Sequence, residues 1–285
     1  MISVFLILLV VVSMMAGLLG SLIGLGGGIF IVPALTLLFG VDIHDAIGAS
    51  IVCVIASSTG SVANFLRNGF CNIRLALVLE LTTTIGAVCG AHLAGIISEE
   101  WLYVIFGIVL AYSGIAIWRG KPVREMGEAQ PDKLSDYLRL HGQYYDRAFG
   151  RMLSYKLQGS RVGMTLGYFA GLISGLLGVG GGVLKVPMMN LAMRVPIKVS
   201  SATSSLMIGM TASASAGVFF LRGEIQPFVA APVAVGVLLG ASLGSRFLSR
   251  LKVTIIRRIL IVVLILVAGQ MVFKGMELFM AGASS

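Results

Sequence analysis

Charge is scarce in this sequence. Asp, Glu, Lys and Arg make up 12% of its 285 residues, against roughly 25% in a soluble domain. So few charged side chains cannot clothe a water-soluble globule, and that class is excluded. Cysteine is scarcer still. Cys53, Cys71 and Cys89 stand singly in or beside apolar runs, with no CxxC and no zinc or haem spacing. They read as small apolar packers, and neither metal nor cofactor is expected. HExxH, GxSxG and GK[ST] are also missing. The sequence is therefore not expected to be a hydrolase, an ATP motor or any other enzyme. The N-terminus lacks the basic stretch of a signal peptide, and its apolar run reads as part of the fold.

Apolar length is what the chain has instead. Hydrophobic residues reach 57%, and the mean hydropathy is +0.99. A membrane span needs about 20 apolar residues. The qualifying runs are Val4–Leu22, Ile47–Leu66, Leu75–Ile97, Leu102–Trp118, Val162–Leu177, Val199–Leu221, Pro227–Leu248 and Ile255–Phe273. The predicted class is an all-α polytopic membrane protein surrounded by the lipid bilayer. A β-barrel would show short alternating segments instead. The net charge of +9 sits mostly in a few short loops. In a membrane protein that pattern sets topology and does not point to nucleic acid.

One apolar phrase occurs twice. Gly17 to Pro33 reads GLLGSLIGLGGGIFIVP, and Gly171 to Pro187, 154 residues later, reads GLISGLLGVGGGVLKVP. Each copy puts a triple glycine and a proline into an otherwise helical apolar run. Helix breakers at membrane depth are tolerated only inside protein or beside a water-filled cavity. Matching interruptions in two halves point to a transporter's binding site. The same offset aligns Gly69 with Gly223, Gly86 with Gly240, and Gly90 with Gly244. The chain thus reads as two homologous halves, each with a glycine-broken first helix.

Charge orients the halves. Arg67 and Arg74 flank one loop of the first half, while the loops with Asp42, His44 and Asp45, and with Glu99 and Glu100, have no Lys or Arg. In the second half the pattern flips: Arg194 and Lys198, and then Arg250, Lys252, Arg257 and Arg258, occupy the equivalents of the acidic loops. The equivalent of the Arg67–Arg74 loop keeps only Arg222, with Glu224 beside it. Basic loops face the cytoplasm, so the halves are expected to be inverted repeats. Inversion needs an odd number of crossings per half. The stretch Ile29–Phe39 supplies one, being about 16 Å long as a helix, half a bilayer. The expected architecture is eight long spans plus two short re-entrant or returning segments, with both termini outside. Eight plain spans with parallel halves form the competing arrangement.

The expected division is a first membrane repeat at 1–118, a cytoplasmic polar connector at 119–160 and a second repeat at 161–285. Pro122, Gly127 and Pro131 make the first part of the connector a loop. Asp132–Leu140 reads as a short helix, and Tyr144–Leu157 around Gly150 as a small hairpin. Its eight Lys and Arg residues suit the anionic cytoplasmic surface.

Several residues are candidates for function. Ser50, Ser57 and Ser61 lie within about 40° of one another on one helix face, and Asn64 extends it. Ser204, Thr211 and Ser215 repeat that face in the second half. Such hydroxyls either line a path for an oxygen-rich solute or bond back to their own helix. Lys185 stands where the first half has Ile31, between the second triple glycine and Pro187. A lysine at that depth costs roughly 2.5–3.5 kcal/mol on insertion scales. It either needs an anion, with a bound substrate as one candidate, or snorkels to the surface. The glycines Gly26–Gly28 and Gly180–Gly182, with Pro33 and Pro187, either free backbone N–H groups for an oxyanion or serve as packing and hinge points. Asn190 lies just beyond the second break. Glu80 either carries a coupling proton or pairs with Arg74 near the surface. Gly86–Gly90 and Gly236–Gly240–Gly244 are small-residue ridges for close helix packing; they leave room for a homodimer.

These residues resemble the sulfite exporter TauE/SafE family, also called the toluene sulfonate uptake permease family. The resemblance rests on two GxGGGxxxVP blocks, Gly24–Pro33 and Gly178–Pro187, followed by Gly48–Ser50 and Ala202–Ser205. It covers nearly the whole chain. It implies secondary transport of small sulfur-containing anions, such as sulfite or sulfoacetate, across the prokaryotic inner membrane. A passive anion channel or a membrane scaffold for a partner complex is the alternative.

Overall fold

In a computed structural model, residues 2–23, 26–119, 132–146, 151–247 and 253–282 are described. The apolar helix α1 (Ile2–Ile23) ends at the first triple glycine, and a short helix α2 (Gly28–Pro33) restarts after it. Proline has no N–H to give the ladder. The chain past Pro33 widens into a π-helical turn, Ala34–Leu38, where the Thr36 hydroxyl donates to the Val32 carbonyl at 3.0 Å. Asp42 caps α3 (Ile43–Arg67) by accepting the His44 N–H at 2.8 Å. Asn72 caps α4 (Ile73–Ala94), accepting the Leu75 N–H at 3.1 Å, and α5 (Glu99–Arg119) follows.

The second half repeats this order. After α7 (Ser160–Leu177) come α8 (Gly182–Pro187), a second π turn (Met188–Ala192), α9 (Ile197–Leu221), α10 (Pro227–Phe247) and α11 (Val253–Gly282). From α8 to the end of α9 the boundaries match the first half residue for residue at the 154 offset. Even the turn after the π segment is shared: Gly40 has φ 66° and its counterpart Arg194 has φ 55°.

Each half packs on the other through its outer helices. α4 lies along α7, and α1 along α10. Glycine lets these backbones touch. A Cβ on Gly90 would sit 1.9 Å from the Leu172 carbonyl oxygen, and one on Gly240 would sit 1.9 Å from that of Met14. The ridges read from sequence are therefore helix contacts within the chain, filled by its own other half. α5 and α11 run antiparallel: Gly107 faces Val272, Gly114 faces Ile265, and Trp101 meets Phe279 edge-on. In the middle, α3 crosses α9, with the Ser58 hydroxyl donating to the Ser205 carbonyl at 2.7 Å.

The loops collect at two ends. At one, the backbone of Gly48 meets that of Glu224, and Arg222 donates to the Ala91 carbonyl at 2.6 Å and pairs with Glu224. At the other, the Asn72 N–H donates to the Thr203 hydroxyl at 3.0 Å. The connector docks there. It contains a short helix α6 (Lys133–Tyr137) and an antiparallel hairpin, β1 (Gly142–Asp146) with β2 (Arg151–Tyr155), the one β element among the described residues. Asn72 Nδ2 reaches the Leu140 carbonyl at 2.7 Å and the Tyr155 hydroxyl at 3.0 Å. Leu140, Tyr144 and Leu157 bury against Leu75, Met193 and Val199. Partial burial opposes ionisation of Asp132, but hydrogen bonds from Ser135 and Ser160 prevail and hold its carboxyl below the usual range. Pro122, Gly127, Pro131, Gly150, Arg250 and Lys252 lie outside the described residues.

Large apolar side chains face outward along the helices, as Leu77, Leu81 and Ile85 do at four-residue spacing on α4. Among the described residues six helices are long and apolar enough to cross a membrane: α3, α4, α5, α9, α10 and α11. α7 spends four of its 18 residues on glycine for its contact with α4, which lowers its hydropathy.

Replacing Gly90 by Ala should force α4 off α7 and cost about 1–3 kcal/mol. Gly217, with nothing within 4 Å of its would-be Cβ, should accept Ala without loss. Thermal unfolding of both variants in detergent checks this.

Candidate functional site

The two broken helices meet at the centre of the molecule. The Ser50 hydroxyl donates to the Gly178 carbonyl at 2.8 Å and approaches the Gly28 carbonyl at 3.4 Å. Val54 and its counterpart Ile208 wedge between the breaks. A Cβ on Gly180 would lie 2.5 Å from Val54 and 2.6 Å from Ile208. The two breaks are not identical, because Gly181 is left-handed at φ 70° while Gly27 is helical at φ −71°. Gly26 is left-handed at φ 78°, and Gly28 and Gly182 open α2 and α8.

Lys185 lies on α8, one turn past this break, and is fully buried. It does not snorkel. Its Nζ donates to the Thr211 hydroxyl at 2.5 Å on α9 and lies 3.8 Å from Glu80 Oε2 on α4. Thr211 donates to Glu80 Oε1 at 2.6 Å, with the Met207 carbonyl as its other acceptor at 2.8 Å. Glu80 accepts further hydrogen bonds from Thr83 at 3.0 Å and Thr84 at 2.9 Å. The carboxyl group is thus ringed by three hydroxyls and one ammonium, all of which can donate to it. Glu80 is only 4% exposed. The expected pairing with Arg74 is therefore corrected: Glu80 faces inward, and its ion-pair partner comes from the other half of the chain.

The remaining candidates divide. Ser57 is buried on the face of Ser50, but Ser61 bonds back to the Ser57 carbonyl at 2.9 Å. Ser215 likewise returns to the Thr211 carbonyl at 3.2 Å. Asn64 joins α3 to α10 through Ser245 at 2.7 Å. Asn190 braces its own turn through the Val195 carbonyl at 2.9 Å. The Ser204 hydroxyl is buried with no hydrogen-bond partner among the described residues. Thr83 and Thr84 are functional candidates that sequence reasoning passed over. Their signal is spacing: they follow Glu80 by three and four residues, the positions that share its helix face.

Six membrane-length apolar helices among the described residues make this a multi-pass helical membrane protein, and a broken helix from each half at its centre is the kind of construction transporters use. Comparison with known sequences gives the family. The model of the family described as sulfite exporter TauE/SafE matches residues 9–271, and the chain belongs to that family. It is 28% identical to the probable membrane transporter protein YunE of Bacillus subtilis, over 94% of this chain and 98% of that protein. YdhB of the same organism, another probable membrane transporter protein, is 25% identical over 84% of this chain and 89% of its own. The sulfite exporter TauE/SafE family protein 5 of Arabidopsis thaliana is 32% identical over 43% of this chain and 30% of its own. No solved structure gives a significant match.

Removing one partner of a buried ion pair leaves a stranded charge, at a cost of about 3–5 kcal/mol. Lys185→Met alone should destabilise by that order. Adding Glu80→Leu should recover most of the loss. Unfolding of the single and double variants in detergent measures both.

Proposed function

We propose that the chain is a secondary transporter of small anions, with sulfur oxyanions and organosulfonates as its substrate class, and not an enzyme. The observation that carries this reading is the fully buried Lys185 beside a broken helix, at the junction of the two halves. A cation at that depth is costly to bury even when paired, and ionisable residues inside membrane helices mark substrate or ion pathways. The family supports the transporter class, and the family's description supports a sulfur anion. In this reading the site lies between Gly26–Gly28 and Gly180–Gly182, with the Ser50 and Ser204 faces along the path. Lys185 supplies the charge.

The same proposal takes the halves, 1–118 and 161–285, as inverted repeats in a prokaryotic inner membrane. Two helices related by a twofold axis run antiparallel only when that axis is perpendicular to them. α5 and α11 are equivalent under the repeat and antiparallel in contact, which favours an axis in the membrane plane. The loops support it as well. The 68–72 loop of one half meets Thr203, near the start of α9, while Gly48, near the start of α3, meets the 222–224 loop. The connector 119–160 then belongs to the cytoplasmic end, and both termini lie outside. Reporter fusions at Ser285 and Gln130 should accordingly fall on opposite sides of the membrane; both on one side would defeat inversion.

Purified protein should unfold at higher temperature in the presence of sulfite or a sulfonate. Stabilisation reaches about 2.7 kcal/mol at a hundredfold excess over Kd. Sulfate and short carboxylates serve as comparison anions. Uptake into proteoliposomes should saturate, whereas a channel's flux would not.

A further inference from the structure

The ion pair exists on one side of the repeat only. At the 154 offset, Lys185 corresponds to Ile31, Thr211 to Ser57, Glu80 to Ala234, Thr83 to Val237 and Thr84 to Leu238. The packing is doubled, but the charge is single. The neighbouring helices add no second charge at this depth. Besides Glu80, the charged residues of α4, α7 and α9 are Arg74, Arg161 and Lys198, all within the first turn of their helices. His92 lies in the last turn of α4 and is exposed, as is Cys89. Tyr168 on α7 is partly exposed and meets Phe169 edge-on. Glu99 and Glu100 open α5 at its far end.

This leaves a closed charge balance. Without ligand, Lys185 and Glu80 neutralise one another. An anion bound to Lys185 in their place of contact would leave Glu80 as an uncompensated buried charge, which costs several kcal/mol. One proton on a Glu80 carboxylate oxygen removes that cost. The protonated carboxyl turns from acceptor to donor, and Lys185 passes from Glu80 to the anion.

Resting on the transporter reading above, we propose that Glu80 is the coupling carboxylate, so that one proton is bound with each monoanion at Lys185. Both the empty site and the loaded site are then neutral, and a single site per chain sets a ratio of one proton to one monoanion. A dianion would need a second proton or would be taken in its singly protonated form. Thr211, which hydrogen-bonds both partners, is a positioning residue.

Isethionate is the probe, because a sulfonate stays a monoanion across the working range and brings no proton of its own. Calorimetry on purified wild-type protein, in buffers of different ionisation enthalpy and none of them a sulfonate, counts protons taken up on binding. One proton per isethionate is expected, with affinity falling about tenfold per pH unit where free Glu80 is ionised. Zero uptake overturns the coupling role and does not depend on any variant folding. Glu80→Gln should bind isethionate with no proton uptake and a flat pH profile, and should lose accumulation driven by a pH gradient. Retention of wild-type proton uptake in that variant overturns the proposal. Failure of the wild type to bind or accumulate isethionate, sulfite and methanesulfonate alike would instead overturn the transporter reading.

Discussion

A helix interrupted at membrane depth must have its loose backbone covered by protein. That requirement organises this molecule. Each half contributes one broken helix, and each break is covered partly by its own half and partly by the other. Ser50 of the first half supplies the hydrogen bond for Gly178 of the second, and Val54 and Ile208 fill the space between. To bring the breaks together, the outer helices must approach within backbone contact. The glycine ridges on α4, α7, α1 and α10 allow this.

Much of this could be read in the sequence. The doubled phrase, its constant offset and the charge alternation all follow from local chemistry repeated along the chain. The hairpin and short helix of the connector were also legible from residue type. What could not be read is pairing at long range. Glu80 lies near the start of its helix in sequence, which suggests a surface partner. Only the packing of α4 against α9 and α8 turns it inward to Lys185. Asn64 and Asn190 share the polar character of the site residues, but their partners, Ser245 and the Val195 carbonyl, give them bracing roles. Polarity on a helix face marks a residue that can take a partner and does not name it: Asn64 finds one across helices, while the Ser204 hydroxyl finds none among the described residues.

The centre therefore combines two kinds of construction. Glycine, proline and the π turns are duplicated and set a backbone geometry that both halves share. Lys185, Glu80 and the threonines around them are not duplicated. Shape comes from the repeat, and electrical character comes from departures from it.

The split origin of the ion pair also governs assembly. Glu80 enters the bilayer with the first half, before the second half has been synthesised. At that stage its hydroxyl partners are Thr83 and Thr84, on its own helix. Thr211 and Lys185 arrive only when the second half docks. Completing the charge pair and joining the halves are one event, so in a nascent chain stopped after α5 the Glu80 carboxyl has neither Lys185 nor Thr211 beside it. The ion pair is complete only once α8 and α9 are in place.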